Sequence, residues 1–398
     1  MTETNRKQLL ILATTYPRWQ GDHEPGFVHE LAKRLTHCFD VVAVVPHAPG
    51  AQCRENMDGV TVLRYRYAPE RWETLVQEGG ITTHLRRRPW KWLLVPVFFA
   101  AQWLTAWRVA SRDGIVHAHW IILPGLVARL LRRPFLLTSH GADLFALRGR
   151  LALWLKRWVL RGAADITVVS KAMAPLVVSL HGGAKPIIAP MGVNLADRFT
   201  PDPTVSREPE HLLFVGRLVE KKGVDLLLAA LPAVLKLVPQ AHLSIVGHGP
   251  LEDSLKAQAV RLGVSAHVTF TGPVAAAELP CWYRRAALFI APFREAESGD
   301  QEGFGLVLVE ALGCGCPVVT SDIPAVSDVV ALSRGASQVP AENVTALAEA
   351  ISERLLHPDR LVPSQEEIEK LEERFGWGVV AARYVTLLER LSAARRPS

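Results

Sequence analysis

The sequence is poor in cysteine and has no apolar run of membrane-spanning length, and each shortage excludes a class of protein. Its 398 residues include five scattered cysteines, Cys38, Cys53, Cys281, Cys314 and Cys316. An odd number at irregular spacing argues against a disulfide framework. Residues 1–7 are polar and lack the apolar core of a secretory signal. We therefore expect a reduced, cytosolic protein.

Charge and tryptophan are unevenly distributed along an otherwise ordinary composition. Residues 1–200 hold 26 basic and 14 acidic residues, whereas residues 201–398 hold 19 and 25. Nine of the 11 tryptophans also lie in the first half. A basic, tryptophan-rich surface suits an anionic membrane or a phosphorylated substrate at least as well as nucleic acid. The hydrophobic content of 49 % excludes a disordered chain, a collagen-like chain and a coiled coil.

The longest apolar stretch, 93–107, has 15 residues. A membrane-spanning helix needs about 20, so this segment is short. Its flanks are nevertheless basic and rich in tryptophan, which is typical of a helix lying on a membrane surface. The flanking cations are Arg86, Arg87, Arg88, Lys91, Arg108 and Arg112. Two interpretations stay open: peripheral membrane contact through 86–112, or an ordinary buried helix with solvated arginines.

Short apolar runs alternate with helix-like segments along the whole chain. Continuous rather than alternating apolar runs are typical of parallel strands buried on both faces. The rhythm breaks at 196–210, which is polar and rich in proline, and then restarts. We therefore predict an α/β protein of two Rossmann-like domains facing across a cleft, 1–195 and 211–376, joined by the linker 196–210. Residues 377–398 are predicted to begin with a separate helix.

Two glycine-containing turns follow predicted strands of the second domain. In GRLVEKKG, Gly216 allows close backbone approach, and Arg217 and Lys222 offer cations for a pyrophosphate. In VGHGP, Gly247 and Gly249 form a tight turn before a helix, a weak anion-site signal by itself. Two solvated loop cations would explain GRLVEKKG alone equally well.

The segment EGFGLVLVE, 302–310, is the most informative motif. Glu302 lies in a glycine-rich loop, and Glu310 lies about two turns into the helix that follows. A carboxylate in such an apolar helix needs a polar partner, and a ribose diol would supply one. The backbone N–H groups at the start of this helix can bind a phosphate. They belong to Gly303, Phe304, Gly305 and Leu306.

The first domain offers candidates of its own. Gly26 precedes a predicted helix and can admit a phosphate, and His140 follows a strand directly in SHG. His140 is a candidate for chemistry near neutral pH, although a histidine held within its loop is equally expected. The pair His117 and His119 lacks a third ligand of plausible spacing, so we predict no zinc site there.

Taken together and in this order, the motifs resemble those of the family-four glycosyltransferases, retaining enzymes of the GT-B fold. The resemblance covers nearly the whole chain and is specific only in combination. It rests on GRLVEKKG, the EGFGLVLVE pair of glutamates, SHG, TVVSKAM at 167–173 and PMGVN at 190–194. It implies a nucleoside-diphosphate-sugar donor and no metal, and the sequence contains no Asp-x-Asp motif.

The resemblance also implies a role for each candidate residue. Arg217 and Lys222 would hold the diphosphate, Glu310 the ribose, Glu302 the sugar hydroxyls, and His140 would lie beside the reacting carbon. The base would be bordered by Thr271, Gly272 and Val274. The final helix would cross back to pack on the first domain. The charged loop REAESGDQ, 294–301, departs from the family pattern at the sugar pocket.

The acceptor is the least defined part of the prediction. The loop 16–29 lacks the paired glycines of the family, and Asp22, His23 and His29 become candidates for acceptor contacts. The basic first domain favours a glycan or polyprenyl-linked acceptor at the inner face of the cytoplasmic membrane, in cell-surface polysaccharide biosynthesis. A soluble acceptor, a nucleotide-sugar epimerase and a non-catalytic nucleotide-binding protein stay open. The sequence has no recognised nucleic-acid-binding motif.

Overall fold

The computed structural model describes residues 6–22, 26–76, 81, 84–85, 88–358 and 362–393. The chain divides into two compact units. Unit 1 comprises residues 1–191 and 380–398, and unit 2 comprises residues 192–379. Each unit is an α/β body built on its own largely parallel sheet.

The sheet of unit 1 has eight strands in the order β3-β4-β2-β1-β5-β6-β7-β8. All neighbours pair in parallel except β3 and β4, which form an antiparallel hairpin. The central strands are buried except at the first residue of β1, as strands buried on both faces of a parallel sheet are expected to be. The strands are β1 Gln8–Leu12, β2 Asp40–Pro46, β3 Arg54–Met57, β4 Val60–Tyr65, β5 Ile115–His119, β6 Phe135–Ser139, β7 Asp165–Val168 and β8 Ile187–Ile188.

Helices connect these strands and cover the sheet. They are α1 Phe27–Leu35, α2 Leu94–Val109, α3 Pro124–Leu130, α4 Ala142–Phe145, α5 Arg150–Leu160 and α6 Ala174–Leu180. A 3₁₀ segment, Pro89–Leu93, leads directly into α2. The predicted apolar helix 93–107 is therefore present, but only one of its sides is buried. The buried residues on that side are Phe98, Gln102 and Ala106.

The sheet of unit 2 is entirely parallel, with the order β11-β10-β9-β12-β13-β14. Its strands are β9 Glu208–Val215, β10 His242–Val246, β11 Val268–Gly272, β12 Ala286–Ala291, β13 Val318–Ser321 and β14 Ala336–Val339. Its helices are α7 Val224–Leu237, α8 Glu252–Arg261, α9 Leu279–Arg285, α10 Leu306–Gly313, α11 Ser327–Val330, α12 Val344–Leu356 and α13 Gln365–Phe375. In such a sheet the carboxyl ends of the strands share one edge, where ligands bind.

The last helix, α14 Trp377–Ala393, begins in unit 2 and belongs to unit 1 from Val380 onward. The Tyr384 hydroxyl donates to the carbonyl of Ala189 over 2.9 Å, and Lys7 Nζ donates to the carbonyl of Ser392 over 2.8 Å. Buried tyrosine and backbone partners thus fasten the C-terminal segment to the body formed by the N-terminal residues.

The boundaries in the structure differ from the predicted ones in two places. Unit 1 ends at residue 191 rather than 195. The predicted linker 196–210 also ends too late, because β9 already starts at Glu208, which pairs with Ala286 of β12. The polar and proline-containing start of β9 hides the strand in the sequence, since its first three side chains are not buried.

Candidate active site

The loops after β9 and β10 are held against each other by main-chain contacts. Gly216 N–H donates to Val246, and Leu218 N–H donates to His248, over 3.0 and 2.9 Å. Gly247 has φ +130°, and a Cβ there would lie 2.1 Å from the Gly216 carbonyl oxygen. Only glycine fits this approach. Both turns predicted from the sequence therefore lie together at the carboxyl edge of the sheet.

The two predicted cations that follow β9, Arg217 and Lys222, differ in exposure and in ion pairing. Arg217 is exposed and makes no ion pair with any residue that the structure describes. Lys222 Nζ donates to Glu302 Oε2 over 2.8 Å and lies 4.8 Å from the centre of the Phe293 ring. The structure thus joins two predicted site residues that are 80 positions apart in the chain.

Glu302 is ionised throughout the physiological range. Burial alone would raise the pKa of Glu302, but Lys222, Lys221 and a hydrogen bond from Gly305 N–H together lower it to about 2. A carboxylate would repel a diphosphate unless a cation lay beside it. Lys222 supplies that cation, so the pair can face both a phosphate and neutral sugar hydroxyls.

The charged loop 294–301 folds back onto the turn after β9. Lys221 Nζ lies 3.1 Å from Asp300 and donates to the Gln301 carbonyl. Arg294 donates to the Glu220 carbonyl and pairs with Asp225 over 3.2 Å. The departure from the family pattern is therefore an ordered segment, held by ion pairs immediately before Glu302.

Glu310 has a partner that sequence reasoning missed. The Tyr283 hydroxyl, from the buried helix residue Tyr283 of α9, donates to Glu310 Oε2 over 2.9 Å. Burial raises the pKa of Glu310 to about 7, against the opposing effects of Tyr283, Arg198 and Lys222. No motif contains Tyr283, so only the packing of α9 on α10 could reveal it. Glu310 therefore titrates near neutral pH.

The predicted backbone donors around the start of α10 are only partly supported. Gly305 is the N-cap residue with φ +82°, and its N–H already donates to Glu302 Oε1 over 3.2 Å. Gly303 is buried, and the Phe304 side chain packs edge-on against Phe375. Leu306 is the first helical residue. The N–H groups of 303, 304 and 306 keep their predicted role as a proposal.

The predicted base-bordering residues lie at the end of β11. Gly247 N–H donates to the Gly272 carbonyl over 2.9 Å, which brings this strand end to the turn after β10. The Thr271 hydroxyl donates to the backbone, and Val274 is partly exposed in the loop beyond. Gly249 also faces the turn after β9, since a Cβ there would lie 2.5 Å from the Leu218 carbonyl oxygen.

In unit 1, His140 lies in a cluster of aromatic rings. Its Nε2 lies 2.9 Å from Nδ1 of His119, and the two rings stack at an interplanar angle of 11°. Trp120 and Phe27 contact the same imidazole at centroid distances of 4.8 and 5.0 Å. Burial lowers the pKa of His140 to about 3. The ring is therefore neutral and can act by hydrogen bonding, not as a cation.

The same cluster places the loop before α1 near His140. Phe27 is the first residue of α1 and directly follows Gly26, the N-cap. The candidates Gly26 and His140 are thus neighbours in space. Asp143 stabilises the segment after His140. Its carboxylate accepts hydrogen bonds from the Ser139 hydroxyl and the Ile121 N–H over 2.7 and 2.8 Å.

Two acceptor candidates have internal partners. Asp22 binds the Arg18 guanidinium and backbone N–H over 2.6–2.9 Å. His29 has both ring nitrogens occupied, by the Tyr16 hydroxyl at 2.7 Å and by Asp58 at 3.0 Å. These contacts give both residues a structural role, and acceptor contacts from them stay a prediction. His23 lies outside the described residues.

The apolar segment before residue 110 presents a wide exposed face. Among the described residues, one helical segment, Pro89–Val109, is long and apolar enough to cross a membrane. Of its most apolar 18 residues, 17 % are buried. A single run of this kind is weak evidence for a membrane span. Its exposed large side chains are Trp90, Trp92, Leu93, Val97 and Trp107, each between 48 and 77 % exposed. The interpretation as an ordinary buried helix is wrong for this face.

The predicted cations beside this face divide into three groups. Arg88 and Arg108 are exposed, as is Arg112. Lys91 is only 1 % exposed and donates to the Thr74 carbonyl over 3.1 Å, so its predicted place in the basic flank is wrong. The side chain of Lys91 is the buried one of the 3₁₀ segment, and the Thr74 carbonyl binds its ammonium group. Arg86 and Arg87 lie outside the described residues.

The chain matches two family models over most of its length. Residues 27–191 match the model described as "Glycosyl transferase 4-like domain", and residues 209–357 match "Glycosyl transferases group 1". A Mycolicibacterium smegmatis protein named GDP-mannose-dependent alpha-(1-6)-phosphatidylinositol monomannoside mannosyltransferase is 32 % identical over 366 residues, 88 % of this chain and 90 % of that protein. Its namesake from Mycobacterium tuberculosis is 34 % identical over 276 residues, covering 65 % and 70 %.

Solved structures give the same fold at lower identity. Sucrose-phosphate synthase from Thermosynechococcus elongatus has a TM-score of 0.78 and 22 % identity, covering 98 % of this chain and 100 % of that one. Anabaena HepE in complex with UDP and glucose has a TM-score of 0.72 and 17 % identity, covering 97 % and 100 %. With the sequence matches, these likenesses show that this chain belongs to the family-four glycosyltransferases and is a GT-B enzyme that uses a nucleotide sugar.

Proposed function

We propose that this protein is a retaining glycosyltransferase that moves a sugar onto a lipid-linked glycan at the inner face of the cytoplasmic membrane, in cell-surface polysaccharide biosynthesis. The observation that carries the proposal is the assembly of Lys222, Glu302 and Glu310 at the carboxyl edge of one parallel sheet. The named relatives support a GDP-mannose donor and an acceptor built on phosphatidylinositol. We adopt that donor and acceptor class for this chain.

Unit 2 holds the donor in this proposal. Arg217 and Lys222 bind the diphosphate, and the main-chain N–H groups at the start of α10 add neutral donors. Glu310 accepts hydrogen bonds from the ribose diol, while Tyr283 holds the carboxylate in place. Glu302 binds sugar hydroxyls from the adjacent loop. Binding uses residues of this chain alone and needs no metal.

The chemical step is a same-face substitution. The bond between the anomeric carbon and the diphosphate oxygen breaks, and the acceptor oxygen bonds to that carbon from the side of the leaving group. The acceptor hydroxyl gives its proton to the departing phosphate. Arg217 and Lys222 stabilise the charge that develops on the diphosphate. His140, kept neutral by burial, hydrogen-bonds the transferred sugar. No side chain of this protein acts as a nucleophile in the proposed step.

The exposed apolar face of Pro89–Val109 supports the proposed acceptor class. Leu93, Val97 and Trp107 recur at helical spacing on one side, and Arg88 and Arg108 border them. Apolar side chains with tryptophan and flanking arginine fit the boundary between acyl chains and headgroups. This arrangement supports a peripheral membrane enzyme whose acceptor is anchored in the lipid.

Product analysis tests the proposal. The purified enzyme is incubated with GDP-mannose and vesicles that contain a phosphatidylinositol mannoside, and the new linkage is assigned by nuclear magnetic resonance. We expect an α-linked mannosyl lipid, with GDP released in equal amount. A β-linked product would contradict retention. Transfer to a soluble sugar at the same rate without vesicles would favour the alternative, a soluble acceptor.

A further inference from the structure

Three side chains of the types that bind metals, two histidines and a glutamate, meet at the edge of unit 2 opposite the donor loops. Glu208 and His211 lie on β9, and His242 begins β10 beside them, where His211 and His242 are register partners. β9 runs from Glu208 to Val215 before it reaches the turn at Gly216, a distance of about 23 Å along an extended strand. This cluster is therefore separate from the donor site.

The three side chains converge on one carboxylate oxygen. Glu208 Oε2 lies 3.3 Å from Nδ1 of His211 and 3.5 Å from Nε2 of His242. The three candidate ligand atoms all lie within 4.8 Å of one another. Ligands of a tetrahedral zinc ion with bonds of about 2.0–2.1 Å are about 3.3 Å apart. The two distances from the Glu208 oxygen are thus close to those around a bound zinc ion, while the two histidine nitrogens are known to lie within 4.8 Å of each other.

The buried histidine has an unsatisfied nitrogen that faces the cluster. His211 is only 2 % exposed, and its buried Nδ1 lies 3.3 Å from Glu208 Oε2 without forming a hydrogen bond of good geometry. A buried polar atom without a partner costs free energy, which a ligand bond would recover. Its other nitrogen, Nε2, lies 2.9 Å from the Ser244 hydroxyl, an outer contact that can fix the tautomer with Nδ1 directed at the metal.

The surroundings orient the cluster and leave one side open. Arg285 binds Glu208 through Oε1, over 2.9 and 2.5 Å, so the two carboxylate oxygens have different partners. The rings of His211 and His242 stack at 4.6 Å with an interplanar angle of 6°, and Trp282 contacts His211 from the edge. His242 is 45 % exposed, which gives an ion access from solvent.

We propose that Glu208, His211 and His242 form a structural binding site for Zn²⁺ or a similar divalent transition metal, with water as the fourth ligand. Two imidazoles and one carboxylate are ligands that zinc accepts readily. The ion links the starts of β9 and β10, and its bond to His211 Nδ1 gives that nitrogen the partner it lacks. The role is stabilisation of unit 2, independent of the sugar-transfer chemistry proposed above.

The test uses the full-length protein after treatment with a chelator. Calorimetric titration with Zn²⁺ is expected to give one site of roughly micromolar affinity or tighter, and excess Zn²⁺ is expected to raise the melting temperature of unit 2 by roughly 5 °C. Co²⁺ at one equivalent should give the visible absorption of a four-coordinate ion. Each readout is independent of catalysis.

His242→Ala is the decisive variant because this exposed residue can be replaced without opening the core. It should weaken Zn²⁺ binding at least 30-fold and remove the thermal shift, while nucleotide binding stays unchanged. His357→Ala, an exposed histidine elsewhere on unit 2, is the matched control and should behave like the wild type. Equal Zn²⁺ binding by wild type and His242→Ala, or no binding by a folded wild type, would overturn the site.

Discussion

Two glutamates of one motif have opposite pKa shifts because their neighbours differ. Lys222 and Lys221 lower the pKa of Glu302 to about 2, whereas burial with a neutral tyrosine partner raises the pKa of Glu310 to about 7. Glu302 is therefore a permanent anion, and Glu310 changes its charge across the working range of the enzyme. The two residues cannot have the same role.

Glu310→Gln should raise the stability of the protein and weaken its binding of nucleoside diphosphate. A folded-state pKa raised above the unfolded value means that the folded protein keeps the proton, so wild-type stability falls as pH rises from about 4.5 through 7. Glutamine removes this loss and still accepts from Tyr283. We expect the variant to be more stable than wild type by roughly 1–3 kcal/mol at pH 8 and equal to it near pH 4.5. Thermal unfolding at both pH values measures the difference.

The same variant should bind nucleoside diphosphate more weakly, by about 10-fold at pH 8, because a charge-assisted hydrogen bond to the ribose is lost. At pH 6 the wild-type carboxyl is mostly protonated, and the two affinities should converge. A pH-independent affinity ratio between wild type and variant would exclude ionised Glu310 from ribose binding.

His119 should act as a positioning residue for His140. The His119 ring is fully buried and holds Nε2 of His140 at 2.9 Å, so His119→Phe removes the hydrogen bond and keeps an aromatic ring. We expect kcat to fall at least 10-fold with donor affinity unchanged, since the donor residues lie in unit 2. His119→Gln, which can still hydrogen-bond, should recover part of the rate. A loss confined to stability would contradict the positioning role.

The sequence motifs identify most candidate side chains but not their partners. Lys222 and Glu302 were predicted from spacing and resemblance, yet their ion pair depends on how two loops 80 residues apart converge. Tyr283 and His119 carry no motif signal for these roles, because the contacts arise from the packing of α9 on α10 and of β5 beside β6. Local sequence patterns do not encode such long-range contacts.

At the scale of elements, the exposed apolar face of Pro89–Val109 is the feature with the clearest consequence. Trp92→Ser with Leu93→Ser removes two large apolar side chains that are 55 and 77 % exposed. We expect binding to vesicles rich in anionic phospholipid to fall at least 10-fold in a co-sedimentation assay, with the melting temperature unchanged. Val260→Ser replaces a 69 % exposed residue of unit 2 and should bind vesicles like the wild type. Unchanged binding by the double variant would exclude this face.

Strands with continuous apolar runs are the elements that the sequence predicts best. The all-parallel sheet of unit 2 is the arrangement that such runs predict. The hairpin of β3 and β4 was missed, although Asp58-Gly59 has the positive φ values, 51° and 86°, of a tight hairpin turn. β3 is mostly exposed and carries no apolar run, whereas β4 is largely buried and pairs in parallel with β2.

At the scale of the whole molecule, the chain enters and leaves unit 2 side by side. Val193 N–H donates to the Phe375 carbonyl over 2.8 Å, and Val193 bridges Gly376 in parallel. Gly192 lies against Trp377, where a Cβ would meet the indole ring at 2.5 Å. These contacts lie within unit 2, and the one between Gly192 and Trp377 depends on the small size of Gly192.

Gly192→Ala should therefore destabilise the protein by about 1–3 kcal/mol, because the new methyl group overlaps Trp377. Gly378→Ala is a matched control at the start of α14, where a Cβ meets nothing within 4 Å. Alanine there should raise stability by up to about 1 kcal/mol through helix propensity. Urea unfolding of both variants measures the contrast. An equal change in the free energy of unfolding in both variants would show that the contact between residue 192 and Trp377 does not determine the effect of Gly192→Ala.

The most direct test of the central claim is calorimetric titration of wild type and Lys222→Ala with GDP, UDP and ADP without added metal. We expect micromolar binding of GDP by wild type and a loss of at least 10-fold in Lys222→Ala, with Lys256→Ala, an exposed lysine on α8, unchanged. Preference for UDP or ADP would keep the donor site and replace the proposed nucleoside. Equal affinity of Lys222→Ala and wild type, or no binding of any diphosphate by folded wild type, would contradict the assignment of this edge as the donor site.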